Sequence, residues 1–304
     1  MQRYTPEKPL ATALYGQVLL CRDTVTGDLV AIKRMDMAAA ASKTIVGSNR
    51  HISEDIAMEK HVHRALSAKG GHANVLRLRD DFQEAGYEHF VLDYCPGGEL
   101  FDELDACGRF DVPTALGYFR QIFAGVRFMH ARGYAHRDVS LENVLLDAKR
   151  QCFVCDFGLA AEADTLQSAS VGKSFYMAPE VVSGTLYDPK RADVWSLGIV
   201  LFMMVTGAPL FGVANDIDSR FHFMEVKGLR ALVKAWNLEI DAQVMSLLER
   251  MLVVKPKERM TMNDVANHPC VGGESTKKDK KSFGHTMKML FRFKSSKIVD
   301  APAY

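Results

Sequence analysis

Four short motifs carry the side chains of this sequence that are best suited to chemistry, and they follow one another in order. Lys33 ends the apolar run Val-Ala-Ile-Lys, and His-Arg-Asp ends at Asp138, with Asn143 five residues later. Asp-Phe-Gly begins at Asp156, and Ala-Pro-Glu ends at Glu180. Ammonium, carboxylate and amide groups are the groups with which phosphoryl transfer positions and neutralises its reactants. One such motif is weak evidence because a triplet occurs often by chance, so the order and separation of all four matter.

The four motifs together are the signature set of protein kinases, and the chain resembles the eukaryotic protein kinase family over residues 10–271. The resemblance implies a bilobal α+β fold, with a small β-rich lobe (1–93) and a larger α-helical lobe (94–271). It also implies an enzyme that uses ATP and Mg²⁺ to transfer the γ-phosphate to a protein hydroxyl. The remaining residues, 272–304, would form a basic tail.

The hydrophobic pattern indicates the elements that must position these motifs. Alternating or short apolar runs predict strands, and apolar residues at helical spacing predict helices. The strands are expected at 17–21, 29–33, 75–78 and 89–92, the helices at 54–66, 114–132 and 240–251, and a loop at 37–53. The longest apolar run, 194–205, is too short to span a bilayer and predicts a buried helix.

The resemblance implies a nucleotide site between the two lobes. Lys33 would reach the α- and β-phosphates and pair with a glutamate of the first long helix, either Glu59 or, as the second choice, Glu54. Ala31 lies two residues before Lys33 on a strand, so both face the same side, and Ala31 would contact the adenine. The remaining adenine contacts would be the backbone of Asp93 and Cys95 and the side chains of Val18, Leu92 and Leu145.

The same resemblance assigns the reacting groups. Asp138 would orient the substrate hydroxyl and accept its proton, and Asn143 and Asp156 would bind Mg²⁺ through oxygen atoms. Glu180 would form a buried ion pair with Arg259, which is a structural role.

Leu-Glu-Asn ending at Asn143 and Phe-Tyr-Met-Ala ending at Ala178 resemble serine/threonine kinases and differ from tyrosine kinases. Gly-Gly-Glu-Leu-Phe around Glu99 resembles the calmodulin-dependent and cyclic-AMP-dependent groups. In those relatives, the residues at the positions of Glu99 and Glu142 bind an arginine of the substrate, three residues before the amino acid that accepts the phosphate. We therefore expect a protein substrate with that arginine.

The phosphate-binding loop departs from the family pattern Gly-x-Gly-x-x-Gly. It reads Ala-Thr-Ala-Leu-Tyr-Gly, with Ala11 and Ala13 in place of two glycines and only Gly16 retained. Because glycine allows close backbone approach and positive φ, the two methyl groups predict weakened nucleotide binding. His63 stands where the family usually has an apolar residue; it would be either a group that titrates near neutral pH or a neutral packed imidazole.

A second departure affects two positions together. Ser/Thr kinases have a lysine where Ser140 stands, and they usually have a threonine where Lys173 stands. We interpret the two changes as an exchange, in which the Lys173 ammonium lies beside Asp138 and reaches the γ-phosphate. The alternative is a Lys173 that points into solvent beside an incidental serine.

The His-Arg-Asp motif also implies that phosphorylation of the activation segment controls activity. In relatives, the arginine at the position of Arg137 binds a phosphate on the activation segment. The usual acceptor position falls at Ala169, which cannot be phosphorylated. Either a neighbour is used, or the segment is ordered without phosphate; the candidate acceptors are Thr165, Ser168, Ser170 and Ser174.

These departures leave a second function open, that of a pseudokinase acting as a binding or scaffold module. Against it, the sequence retains Lys33, Asp138, Asn143 and Asp156. Catalytic phosphate transfer is therefore the first interpretation.

Charge and composition limit the partners. The 38 Lys and Arg residues nearly balance 37 Asp and Glu residues, which gives no indication of nucleic-acid binding. Between residues 275 and 297, however, there are eight lysine and arginine residues and only one acidic residue, an aspartate. The basic, partly amphipathic segment 283–297 predicts contact with calmodulin or an anionic membrane surface; the alternative is a solvated tail. The six scattered cysteines and the lack of an apolar leader predict free thiols and a cytoplasmic protein.

Overall fold

A five-stranded antiparallel sheet forms the first third of the chain in the computed structural model, which describes residues 1–41 and 55–272. Its strands lie in the spatial order β1-β2-β3-β5-β4, and each is antiparallel to its neighbours. They are β1 (Tyr4–Ala13), β2 (Gly16–Asp23), β3 (Leu29–Asp36), β4 (Leu78–Glu84) and β5 (Tyr87–Asp93).

Two helices accompany this sheet, α1 (Met37–Ala41) and α2 (Ile56–Ser67). Helix α2 begins where it does because the Asp55 carboxylate accepts hydrogen bonds from two of its first backbone N–H groups. Its buried face carries Glu59, Val62, His63 and Leu66, at helical spacing. The predicted helix is therefore present, and it brings two polar side chains into the interior.

The predicted strand 75–78 is wrong. Only Leu78 belongs to a strand, β4, whereas Val75 forms an isolated parallel bridge with Val154. Val75, Leu76 and Leu78 are buried, whereas Arg77 is exposed. The backbone of Val75 and Leu76 pairs with Val154, away from the five-stranded sheet, so the strand of that sheet begins only at Leu78. The predicted loop 37–53 is also partly wrong, since its first residues form α1; its part from 42 lies outside the described residues.

Short strands and turns connect the sheet to the helical part of the chain. They form a three-stranded sheet in the order β6-β8-β9 and a two-stranded pair of β7 with β10. The strands are β6 (Gly98–Glu99), β7 (Tyr134–Ala135), β8 (Val144–Leu146), β9 (Cys152–Val154) and β10 (Ala161–Glu162). The loops between β7, β8, β9 and β10 contain the His-Arg-Asp and Asp-Phe-Gly motifs.

Helices make up most of the rest. They are α3 (Leu100–Cys107), α4 (Val112–Ala131), α5 (Pro179–Val182), α6 (Pro189–Thr206), α7 (Ser219–Lys227), α8 (Leu229–Ala235), α9 (Ala242–Met251), α10 (Met262–Ala266) and α11 (Pro269–Gly272). Helix α6 is buried on almost all sides, as predicted for its apolar run, and packs on α4 and α9. Within residues 1–41 and 55–272, no helix has the length and apolar character needed to cross a membrane.

A buried ion pair joins the end of this helical part to its middle. Arg259 donates two hydrogen bonds to Glu180, with Nη1–Oε1 at 2.6 Å and Nη2–Oε2 at 2.9 Å, and the Arg259 side chain is fully buried. Arg259 also donates to backbone carbonyl groups of Val253 and Arg191. The predicted Glu180–Arg259 pair is confirmed.

This arrangement confirms the α+β fold with a β-rich part followed by a helical part. Residues Met1–Gly272 form one compact unit, so the boundary between lobes near residue 93 stays a prediction. All six cysteines are free, as predicted, and five of them are buried.

Candidate active site

A cleft of about 580 Å³ lies between the five-stranded sheet and the helical part. Most of the side chains predicted to bind a nucleotide line it: Ala11, Ala13, Val18, Ala31, Lys33, Glu59, Leu92, Asp93, Cys95 and Leu145. The opposite wall carries the residues predicted for chemistry and metal binding, Asp138, Asn143, Asp156 and Lys173. The fold therefore brings together residues that are up to 162 positions apart in the sequence.

Gly16 is the exception among the predicted nucleotide residues, since it does not line the cleft. It begins β2 and pairs with Ala13 on one side and Met35 on the other. A Cβ atom at this position would lie 2.1 Å from the carbonyl oxygen of Arg34. The glycine is therefore required for the close packing of three strands, and its role as a nucleotide contact stays a prediction.

Ala11 and Ala13 pair with Val18 and Gly16 of β2, directly after a register shift of β1 between Pro9 and Ala11. Neither residue has a positive φ, so the backbone here imposes no need for glycine. Their methyl groups nevertheless line the cleft. Crowding of a nucleotide thus stays a prediction that rests on the methyl groups alone.

Lys33 lies between two carboxylates at the back of the cleft. Its Nζ is 2.7 Å from Oε1 of Glu59 and 3.3 Å from Oδ1 of Asp156. The pair with Glu59 is the predicted one; Glu54 lies outside the described residues. The Lys33 ammonium lowers the pKa of Asp156 to about 2, so this carboxyl group is ionised at neutral pH. Burial raises the pKa of Glu59, and Lys33 opposes that change.

Asp138 is held by three hydrogen bonds. The backbone N–H of Lys173 donates to its Oδ1 at 3.0 Å, while Asn143 Nδ2 at 2.7 Å and Lys173 Nζ at 3.0 Å both donate to its Oδ2. The predicted contact between Lys173 and Asp138 is therefore confirmed. Lys173 Nζ also donates to Oγ of Ser140 at 3.0 Å; Ser140 is fully buried and lies behind the cleft wall.

The loop that carries Asp138 is anchored by Asp193, a residue that the sequence interpretation missed. Oxygen atoms of this fully buried carboxylate accept from the backbone N–H groups of His136 and Arg137, both at 2.8 Å. They also contact His130 Nε2 at 2.7 Å. Burial alone would raise the pKa of Asp193, but its hydrogen bonds lower it. The available signal was an aspartate at the start of an apolar run.

Two residues next to the reacting groups have left-handed backbone conformations. Arg137 has φ 66° and Asp156 has φ 62°. Positive φ is uncommon for residues with side chains and persists where the surroundings hold it. Here Asp193 fixes the Arg137 backbone, and Lys33 pairs with the Asp156 carboxylate.

A row of rings connects α2 to the loop of Asp138. The ring centre of His63 lies 4.6 Å from that of Phe157, and Phe157 lies 5.7 Å from His136. Burial lowers the pKa of His63 to about 3. The imidazole is therefore neutral near pH 7, which agrees with the packed alternative.

The activation segment, residues 156–180, contacts Arg137 through Gln167. The Arg137 guanidinium donates to Oε1 of Gln167 at 3.2 Å. The backbone N–H groups of Gln167 and Tyr187 each donate to the carbonyl oxygen of the other residue. The hydroxyl of Tyr187 donates to the carbonyl of Ala169 at 2.9 Å. The predicted phosphate acceptors, Thr165, Ser168, Ser170 and Ser174, are all exposed, and their phosphorylation stays a prediction.

An acidic patch lies at the open end of the cleft. It contains Glu99 and Glu142, as predicted, and also Asp102, which the sequence interpretation missed. Burial, with additional repulsion from Asp102 and Glu142, raises the pKa of Glu99. The further lining residues that were not predicted include Leu10, Tyr94 and Cys155, each directly next to a predicted residue in the sequence. They also include Leu76, which lies sixteen residues from Leu92 and belongs to none of the motifs.

Comparison with known proteins gives a consistent result. The family model described as protein kinase domain matches residues 4–271. Serine/threonine-protein kinase SRK2G of Arabidopsis thaliana is 32% identical over 274 residues, which cover 88% of this chain and 73% of that protein. CBL-interacting protein kinase 29 of Oryza sativa subsp. japonica is 34% identical over 268 residues, which cover 88% of this chain and 59% of that protein.

Proposed function

This chain belongs to the protein kinase family as a serine/threonine protein kinase, and we propose that it transfers the γ-phosphate of ATP to a protein hydroxyl with Mg²⁺ as cofactor. The observation that carries this proposal is the joint presence of Lys33, Asp138, Asn143 and Asp156 on the walls of one cleft. Lys33 is paired with Glu59, which fixes the ammonium where the phosphates would lie.

The adenine of ATP would bind at the inner end of the cleft. Val18, Ala31 and Leu145 supply apolar surface there, and Leu92 lines the same region. Residues 93–95 connect the sheet to the helical part. The Asp93 N–H donates to the carbonyl of Arg77, and the Cys95 carbonyl accepts from the N–H of Gly98, so the adenine would use other backbone groups of this connection. Asp93 is itself held by Arg77 and Arg79, which restricts the movement of this connection.

The donor set fits Mg²⁺. Asp156 supplies an ionised carboxylate, and Asn143 donates through Nδ2 to Asp138, which leaves its amide oxygen available to a cation. Carboxylate and amide oxygens are the ligands that Mg²⁺ prefers. When bound, the ion would neutralise charge on the phosphates of ATP.

Asp138 would orient the acceptor hydroxyl and take its proton. An ionised carboxylate has about four acceptor sites, and three are used by Lys173 and Asn143. The remaining one is available to the substrate hydroxyl. The three bonds fix the carboxylate in one orientation, which is what positioning requires.

The acidic patch of Glu99, Asp102 and Glu142 supports a preference for basic substrates. Three carboxylates within one end of the cleft would attract an arginine side chain, and a planar guanidinium can bind two of them at once. We propose that this arginine stands three residues before the acceptor. The tail segment 283–297, proposed to contact calmodulin or an anionic membrane, lies outside the described residues.

The direct test is incubation of the purified full chain with γ-labelled ATP, Mg²⁺ and acceptor peptides. Peptides with arginine or alanine three residues before a serine or threonine would be compared. We expect labelled phosphoserine or phosphothreonine, a loss of labelling when EDTA removes Mg²⁺, and faster labelling of the arginine peptide. Binding of ATP without any transfer would contradict the proposal and favour a non-catalytic binding module, an alternative that the comparisons do not support.

A further inference from the structure

Negative charge dominates the cleft. Among the residues that the structure describes, seven carboxylate residues line the cleft, and the lysine and arginine residues that line it are Lys33 and Lys173. The seven are Glu59, Asp93, Glu99, Asp102, Asp138, Glu142 and Asp156. A phosphate group that enters such a site needs a nearby cation, because unscreened like charges repel strongly where water is excluded.

The Lys33 ammonium is paired at the inner wall of the cleft, away from Asp138. It is 2.7 Å from Glu59 and 3.3 Å from Asp156. Lys173 comes from the activation segment on the other side, and its Nζ is 3.0 Å from Asp138. Of the two lysines that line the cleft, Lys173 is the one beside the group that would receive the substrate proton.

Ser140 holds the Lys173 ammonium in place. The serine is fully buried, and its Oγ accepts from Lys173 Nζ at 3.0 Å. An ammonium group has three donors, and in the described part of the chain two are used, one by Asp138 and one by Ser140. One donor therefore remains next to the one acceptor site left on Asp138.

We propose, on the basis of the kinase function proposed above, that Lys173 is a catalytic residue that neutralises charge on the transferred phosphoryl group, and that Ser140 is its positioning residue. In this step the substrate hydroxyl oxygen bonds to the γ-phosphorus of ATP, and its proton goes to Asp138. The bond from the γ-phosphorus to the bridging oxygen breaks, and ADP leaves with that electron pair. The free donor of Lys173 stabilises the negative charge on the γ-phosphoryl oxygens as this happens.

Because the cation belongs to the activation segment, the position of that segment decides whether it is present. The residue before Lys173, Gly172, has φ 104°, and a Cβ atom there would lie 2.9 Å from the carbonyl oxygen of Arg137. Glycine thus lets the segment approach the loop of Asp138 closely enough for the Lys173 N–H to reach the carboxylate. A displaced segment would remove the catalytic charge and the Asp138 contact together.

The competing explanation is an ion pair that only fastens the activation segment. A double-mutant cycle separates the two. Lys173→Met, Ser140→Ala and the combined variant would be compared with the unaltered chain for kcat, for ATP affinity and for melting temperature. Lys190→Met is the matched control, because Lys190 is also ion-paired and has the same side-chain exposure of 37%. Lys173→Gln is a second variant, which keeps a donor but has no charge.

We expect Lys173→Met and Lys173→Gln to lower kcat by about 10²-fold, with ATP affinity and melting temperature nearly unchanged. Ser140→Ala should lower kcat by about tenfold, but it should have no further effect once Lys173 is replaced. Lys190→Met should behave like the unaltered chain. A normal kcat in Lys173→Met, or an equal loss from Ser140→Ala with and without Lys173, would overturn the proposal while the kinase function stood. If the unaltered chain transferred no phosphate at all, both would fail.

Discussion

The first hairpin and the loop of Asp138 both differ from the kinase sequence pattern, but the differences are of two kinds. In the hairpin, Ala11 and Ala13 line the cleft, and neither has a positive φ that would require glycine. At the catalytic loop, the two altered positions contact each other: Lys173 Nζ and Ser140 Oγ are 3.0 Å apart. A motif substitution therefore has to be judged by its spatial neighbours. The hairpin changes add bulk, whereas the changes at Ser140 and Lys173 place a hydroxyl and an ammonium in contact, and we propose that this pair supplies the missing charge.

The largest expected effect concerns the catalytic side of this comparison. Asp156→Asn removes the carboxylate that is paired with Lys33 and proposed to bind Mg²⁺. We expect phosphate transfer to fall by more than about 10³-fold, while the Lys33–Glu59 pair and the fold remain. The measurement is the initial rate with γ-labelled ATP.

The matched control for this change is Asp164→Asn, since Asp164 belongs to the same segment but is exposed and paired only with Lys190 at the surface. It should retain full activity. Full activity in Asp156→Asn would show that the proposed metal site is wrong.

The buried Glu180–Arg259 pair should contribute more to the free energy of unfolding than the half-exposed Lys173–Asp138 pair at the active site. Glu180→Ala leaves the Arg259 guanidinium buried without its carboxylate, so we expect the free energy of unfolding to fall by about 3–5 kcal/mol. Lys173→Met should change it by less than about 1 kcal/mol. Urea denaturation of both variants measures the difference, and similar losses in the two would remove the distinction between a structural and a catalytic pair.

The contact of the activation segment with Arg137 predicts a smaller effect. Gln167→Ala removes the acceptor of the Arg137 guanidinium, and loss of one hydrogen bond to a charged group corresponds to about a tenfold change in rate or population. We expect kcat to fall about tenfold because the segment delivers Lys173. Ser168→Ala, one residue later on the exposed surface, is the control and should be normal. A large loss in Ser168→Ala would instead indicate a phosphorylated serine.

The smallest effect belongs to the hairpin. Ala11→Gly/Ala13→Gly removes two methyl groups that line the cleft, so ATP should bind a few-fold more tightly at unchanged kcat. Calorimetric titration with ATP and Mg²⁺ measures the affinity, with Ala106→Gly on α3 as a control away from the cleft. Unchanged or weaker binding would mean that the methyl groups do not crowd the nucleotide.

Local sequence patterns were sufficient for the fold and for most of the lining residues. The four motifs predicted Lys33, Asp138, Asn143 and Asp156, and the resemblance placed the glutamate partner of Lys33 on the predicted helix 54–66, where the first choice, Glu59, lies on the buried face of α2. These features depend on short stretches of chain, in which spacing determines the side of a strand or helix that a residue occupies.

Features that depend on close approach of distant segments were not predictable in the same way. The position of Gly16 is set by the carbonyl of Arg34, and Asp193 is defined by backbone N–H groups more than fifty residues away. The run 75–78 has the composition of a strand, yet Val75 and Leu76 pair with Val154 of β9 and only Leu78 belongs to β4. The positions of these residues are set by packing between elements that are distant in the sequence, and residue spacing gives no information about that packing.

Exchange of Ser140 and Lys173 tests most directly the central claim that a positive charge beside Asp138 is needed for phosphate transfer. The measurement is the single-turnover rate of phosphate transfer at saturating ATP and Mg²⁺ for the unaltered chain, Lys173→Thr, Ser140→Lys and Ser140→Lys/Lys173→Thr. If the charge is needed beside Asp138 but can come from either side, Lys173→Thr will be slow and the double variant will recover much of the rate. A Lys173→Thr variant as fast as the unaltered chain, or a double variant no faster than Lys173→Thr, would contradict the account.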